Sequence, residues 1–241
     1  MELVDALAVV TGGGGGLGEV LVVELARLGC DVVIADRDVD AAARVASLVE
    51  GRGRRAWPVE ADLRHTASVE AVMQVAPAAG TPRVLVNNAG GWSPDEQFPD
   101  ASPEDWSRTL MLNLESPMRL TQRVLPLMAA VGGGAVVNVA SSAGTGTDAY
   151  GSPEYAVAKA GLIRLTTSLA DLEATHGVRV CCVVPGWIGL PRAHAEVAKL
   201  SRERRRALTP LVPPERVVGE LVSLLRSGPG GTVAHLPGGE G

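Results

Sequence analysis

Tyr155 and Lys159 stand four residues apart, a spacing that puts both on one face of a helix. A phenol titrates at about pH 10 and is a poor proton shuttle at neutrality. Bringing it down there takes roughly 4 kcal/mol of differential stabilisation. A close ammonium favours the phenolate, so the pair would let Tyr155 take a proton from an alcohol or return one to a carbonyl. Ser142 precedes Tyr155 by 13 residues and would hold a substrate oxygen beside it, while Asn113 would anchor a water next to Lys159. Tyr-x-x-x-Lys also recurs by chance, so spacing alone leaves an ordinary helix face equally open.

A second group lies near the N-terminus. Thr11 is followed by Gly12, Gly13, Gly14, Gly15, Gly16, Leu17 and Gly18, between an apolar run and a helical pattern. Glycine lets backbone N–H groups approach a pyrophosphate, and the helix start adds partial positive charge. Asp36 follows Gly18 by 18 residues, where a carboxylate can accept hydrogen bonds from adenosine ribose hydroxyls. A 2′-phosphate there would cost on the order of 4 kcal/mol per unit charge pair at about 4 Å and a dielectric of about 20. Asp36 therefore favours NAD over NADP, although Arg37 next to it could pair with that phosphate. Asp62 and Leu63 are placed to bracket an adenine.

These residues need elements to hold them. Apolar runs at 7–10, 32–35, 55–60, 84–86, 135–139, 178–184 and 232–236 read as strands. Helical patterns separate them. Residues 68–76 form a helix ended by Pro77, and a long helix over 103–130 carries Asn113 with kinks or breaks at Pro117 and Pro126. The helix from Pro153 runs to about His176, and a helical stretch covers 193–208. Strands joined through helices must be parallel with right-handed crossovers. The expected fold is a single α/β domain, 1–241, with a doubly wound parallel sheet of Rossmann type and helices on both faces. Residues 189–213 break the repeat and read as a substrate flap.

Composition narrows the function further. The chain has 241 residues, 46% of them hydrophobic but only 3% aromatic, so its core is aliphatic. A net charge of −5 gives no electrostatic case for nucleic acid, and the basic run 202–206 reads as a solvated helix face. No stretch has the roughly 20 apolar residues of a membrane span, and no leader pattern precedes the first strand. The three cysteines, Cys30, Cys181 and Cys182, suit neither a metal nor a disulfide framework and read as buried thiols in a cytoplasmic protein.

Taken together, the motifs resemble those of the short-chain dehydrogenase/reductase family in its shorter, classical form. Thr11 to Gly18 fits that family's TGxxxGxG loop. Asn87-Asn88-Ala89-Gly90 is similar to its NNAG segment, and Pro185-Gly186-Trp187-Ile188 to its PG motif. Asn113, Ser142, Tyr155 and Lys159 match its catalytic tetrad in order. The resemblance implies hydride transfer between a nicotinamide cofactor and an alcohol or carbonyl substrate. It implies cofactor contacts from Asn88, Ala89, Gly90, Pro185 and Gly186, with Ile188 along the nicotinamide and Lys159 on its ribose. It also implies a homotetramer or homodimer joined through the long helices. Leu190 stands where the family often has a threonine, and Leu236-Pro237-Gly238-Gly239 replaces an ending with an Asp before two glycines.

Trp92, Thr145, Tyr150 and Trp187 are candidate substrate contacts, and none identifies a substrate. Two other readings suit the same fold: a cofactor-sensing regulatory protein without catalysis, and a non-redox epimerase or dehydratase.

Overall fold

The computed structural model describes residues 1–91, 97–147 and 150–239; Trp92 lies outside them. Seven strands form one sheet: β1 (Leu7–Thr11), β2 (Asp31–Asp36), β3 (Ala56–Glu60), β4 (Pro82–Asn87), β5 (Gly134–Val139), β6 (Val178–Pro185) and β7 (Val233–Leu236). Their spatial order is β3-β2-β1-β4-β5-β6-β7, and every pairing is parallel. β1, β5 and nearly all of β6 are buried on both faces, which is why they read as unbroken Val- and Ala-rich runs rather than alternating ones.

Alternate residues feed two cores. Ala8, Val10, Val32 and Ile34 point to one face, where α1 (Gly16–Arg27), α2 (Val39–Glu50) and α10 (Pro214–Ser227) bring Leu21, Leu25, Val45, Val49 and Leu221. Leu7, Val9, Val33 and Leu85 point to the other, where α3 (Thr66–Ala79) and α5 (Ser116–Ala130) bring Val69, Val72, Leu120 and Val124. On that second face α6 (Pro153–Ser168) covers Cys182 and Val184 with Leu162. Strand order reverses between β1 and β4, and the crevice beyond their carboxyl ends is where such sheets take ligands.

Four elements depart from the sequence reading. α3 does not stop at Pro77 but runs to Ala79, because a proline in the last turn removes only one N–H donor where the helix is about to end. The stretch 103–130 is interrupted just ahead of Pro117 and runs on through Pro126. It is α4 (Pro103–Leu110), a π-turn over Met111–Glu115, then α5, with Pro126 inside α5. Ser116 N–H reaches back five residues to the Met111 carbonyl, just ahead of Pro117, which has no N–H to continue the ordinary ladder.

The helix from Pro153 breaks after Ser168, and α7 (Leu172–His176) follows, closed by Gly177 at φ 67°. Thr166, Thr167 and Ser168 hydrogen-bond back to the Leu162 and Arg164 carbonyls, a pattern that loosens helices. The stretch after β6 holds two helices, α8 (Pro191–Lys199) and α9 (Arg202–Ala207), because Ser201 caps a new start by accepting from Arg204 N–H. A parallel bridge between Ile188 and Val212 joins the ends of this stretch. Among the described residues no helix is long and apolar enough to cross a membrane.

Candidate active site

The glycine loop after β1 is packed so closely from below that Gly12 and Gly18 have no room for a side chain. Gly12 has φ 63° and Gly16 φ 54°, a region that costs other residues free energy. A Cβ on Gly12 would lie 2.9 Å from Ala89 Cα, and one on Gly18 only 1.9 Å from the Gly12 carbonyl oxygen. Gly15 has nothing within 4 Å on its Cβ side, and Gly16 has only Leu190 there. The loop is thus packed from below and open above. Leu17 is buried in the core, so what it offers a ligand is the backbone N–H of the first helical turn.

The segment after β4 holds this loop. Asn88 Nδ2 donates to the carbonyls of Thr11 (2.9 Å) and Gly12 (3.0 Å), and Thr11 Oγ1 accepts from the N–H groups of Asn88 and Ala89, both at 3.0 Å. Asp36, at the end of β2, accepts from Gly14 N–H at 2.8 Å and Asp38 N–H at 3.1 Å. Its carboxylate therefore positions the loop as well as facing the cavity beside it.

That cavity, about 480 Å³, lies beyond the carboxyl ends of β1, β2, β3 and β4. Its walls include Gly12, Asp36, Arg37, Asp62, Leu63, Ala89 and Gly90, as the sequence reading expected, together with Arg64, Arg108 and Arg192, which that reading missed. Asp62 is gripped by Arg64 at 2.6 Å, and this bond holds its carboxyl down at about 2. An open glycine cradle and a carboxylate at the end of β2 suit a dinucleotide.

Asn113 and Lys159 converge on the rim. Asn113 Nδ2 donates to the carbonyls of Gly91 (2.8 Å) and Thr109 (2.9 Å), and its Oδ1 accepts from Gly91 N–H at 3.0 Å. The π-turn brings Asn113 inward to complete burial. A Cβ on Gly90 would come within 2.9 Å of both Asn113 Oδ1 and Lys159 Nζ. Lys159 is only 2% exposed; its Nζ donates to the Val139 carbonyl at 2.8 Å and lies 5.5 Å from the Tyr155 ring centroid. Burial lowers its pKa to about 8.

Burial pushes the Tyr155 phenol up to about 12; the Ser141 side chain pulls it down and Tyr150, stacked at 6.2 Å, adds to the rise. The expected depression by Lys159 is absent. The ammonium is turned to a backbone carbonyl, and loss of water around the phenol dominates.

The hydroxyl acting on Tyr155 is that of Ser141, where the spacing pointed to Ser142. Ser141 caps a short turn by accepting from Ala143 N–H, and Ser142 opens that turn, exposed to solvent. Gly144 presses this loop onto α6, since a Cβ there would lie 2.5 Å from Ala160 N. The adjacent serines were the only sequence signal that two hydroxyls competed for the role.

Pro185 ends β6, and Gly186 N–H donates to the Leu236 carbonyl at 2.9 Å. Ile188 is half-buried in the bridge to Val212. Thr145 is exposed and donates to the Ser142 carbonyl; Tyr150 and Trp187 are also exposed.

Known proteins similar to this chain in sequence and fold agree on a class. Residues 6–200 match the family model described as short chain dehydrogenase. An uncharacterised oxidoreductase of Mycobacterium tuberculosis is 36% identical over 225 residues, covering 92% of this chain and 83% of its own. A 7α-hydroxysteroid dehydrogenase, solved with NADH and 7-oxo glycochenodeoxycholic acid, superposes with a TM-score of 0.88 at 28% identity, covering 99% of this chain and 96% of its own. L-sorbose reductase from Gluconobacter frateurii, solved with NADPH and L-sorbose, gives 0.87 at 28% identity, covering 99% and 98%.

Proposed function

The chain belongs to the short-chain dehydrogenase family, in its classical form, and from that premise we propose that it interconverts an alcohol and a ketone with NAD(H) in preference to NADP(H), using Tyr155 as the proton donor and acceptor. The family carries out NAD(P)-dependent oxidoreduction on small molecules. A bound nicotinamide cofactor supplies or takes up the hydride. The observation that carries the proposal is the convergence of Lys159 and Asn113 at Gly90 and Gly91, on the rim of a cavity whose wall includes Gly12 of the glycine loop, with the Tyr155 ring 5.5 Å from Lys159 Nζ.

Tyr155, with its phenol pushed up to about 12, is protonated at neutral pH and ready to give its proton to a carbonyl oxygen. Ser141 orients that oxygen by hydrogen bonding. Lys159 and Asn113 fix the rim, and Lys159 is within reach of a ribose placed there. Asp36 supports the choice of NAD, because a 2′-phosphate beside it adds like charge. The stretch 189–213 acts as the substrate flap of one domain, and the chain works in the cytoplasm, where its three buried free thiols stay reduced.

The proposal extends to self-association. Met118, Leu125, Leu165, Leu169 and Leu172 line a groove between α5 and the α6–α7 end. An apolar face of this kind suits a second copy, making a dimer or tetramer through the long helices.

Titration with NADH and NADPH, followed by a screen of ketones and alcohols with Tyr155→Phe alongside, tests the reading. Tight NADH binding and turnover abolished in Tyr155→Phe are expected. Failure of both dinucleotides to bind would overturn it.

A further inference from the structure

The cavity beside the glycine loop has an uneven charge balance. Its lining carboxylates are Asp36, Asp62 and Asp105, and its lining cations Arg37, Arg64, Arg108 and Arg192. Arg64 grips Asp62 and Arg108 grips Asp105. Arg37 follows Asp36 at the β2 end. Arg192 differs in origin, because it comes from α8, the helix that begins the stretch after β6. Its partner is Glu196, one turn along the same helix, at 2.8 Å, and that carboxylate is not part of the cavity wall.

Leu190, two residues earlier, packs against the glycine loop, with Cδ1 3.4 Å from where a Gly16 Cβ would stand. The α8 end of the site therefore meets the loop through an apolar side chain, and the nearest charged group of that helix reaching the cavity is the Arg192 guanidinium. An exposed i,i+4 ion pair such as Arg192–Glu196, with side chains 73% and 45% exposed, holds its partners weakly. A pyrophosphate carries two negative charges and matches the guanidinium fork.

We propose that Arg192 is a phosphate anchor: on binding, its guanidinium leaves Glu196 and donates to the pyrophosphate lying on the glycine loop, drawing α8 over the cavity. The inference rests on the reading of this cavity as a dinucleotide site. It makes Arg192 a binding residue for the phosphates, with no part in the proton transfer.

Calorimetric titration with NADH, ADP-ribose and adenosine separates the possibilities. Arg192→Ala should weaken NADH and ADP-ribose by about tenfold or more, leave adenosine unchanged, and flatten the dependence of ADP-ribose affinity on salt. Arg192→Lys should fall between, since a point charge replaces the fork. Glu196→Gln, which releases the guanidinium, should bind ADP-ribose as tightly as the parent or up to about twofold tighter. Unchanged ADP-ribose affinity in Arg192→Ala would overturn the inference alone. Equal losses for adenosine and ADP-ribose would overturn it by showing a structural role. A parent protein that binds neither NADH nor NADPH would overturn the dinucleotide reading and the anchor with it.

Discussion

Ser141, rather than its neighbour Ser142, is the hydroxyl that acts on the Tyr155 phenol, and Ser142 turns outward at the start of a short helical turn. One residue of loop register decides which serine faces the site. Ser141→Ala should therefore lower kcat/KM by about 100-fold or more, the usual cost of losing one preorganised donor. Ser142→Ala should keep at least about half of the parent value. Steady-state kinetics on both variants, with thermal melts to confirm folding, decide between them; the reverse order of effects would return the role to Ser142.

Oxidation and reduction should respond to pH in opposite ways. The Tyr155 phenol, raised to about 12 by burial, keeps its proton through the neutral range and can donate it. Alcohol oxidation needs the phenolate, so its rate should climb about tenfold per pH unit from about 7 to 9. Ketone reduction should change little over the same interval. An oxidation profile that levels off below about pH 8 would mean that the working complex holds the phenol far lower than the free protein does.

Lys159 should cost stability while serving the site. Its ordinary pKa of 10.5 falls to about 8 in the folded chain. The unfolded lysine thus holds its proton between about 8 and 10.5 while the folded one gives it up. Stability rises with pH across that window and is lowest below it. Lys159→Met should unfold about 1–2 kcal/mol less readily than the parent at pH 7, with the gain shrinking towards pH 10, and should lose most turnover. Urea titrations at the two pH values measure the difference; the same difference at both would refute the account.

Asp36 has two tasks that one substitution separates. Asp36→Ala should lose at least about tenfold of the preference for NADH over NADPH, by removing like charge from a 2′-phosphate. It should also weaken both cofactors, because Gly14 N–H loses its acceptor at 2.8 Å. Asp36→Asn, which keeps an acceptor, should change the preference with a smaller loss of overall affinity. Fluorescence titration with both dinucleotides reads the two effects independently. A parent that already prefers NADPH would assign the choice to Arg37.

Much of the architecture was legible because it rests on patterns that a chain displays locally. Aliphatic runs such as Ala8-Val9-Val10 have one reading once helices separate them, and Tyr155 and Lys159 share a helix face by spacing alone. What escaped depended on contacts across the fold. The π-turn before Pro117 is stabilised where Asn113 finds Gly91 and Thr109, and neither partner is marked by spacing. Pro77 looks like a stop because the sequence does not show how near the helix already is to its end. Ser141 and Ser142 are chemically identical, and only the packing of Gly144 on α6 sets the loop that chooses between them. Arg64, Arg108 and Arg192 belong to no motif, and only the fold brings them from the loop after β3, from α4 and from α8 to one cavity.

The buried amides at the sheet centre have a further consequence. Asn87 and Asn138 stand opposite each other on β4 and β5; Asn87 Nδ2 donates to Asn138 Oδ1 at 2.8 Å, and Asn138 Nδ2 donates to Thr166 Oγ1 on α6 at 3.0 Å. A slip of β5 by one residue would send Asn138 to the opposite face and strand buried amides without partners. The chain of bonds therefore acts as a gauge during assembly, accepting one alignment of two strands and the helix that carries Tyr155 and rejecting its neighbours. A misaligned pairing loses these bonds, so the contacts that close the core also fix where α6 and its tyrosine stand relative to the sheet.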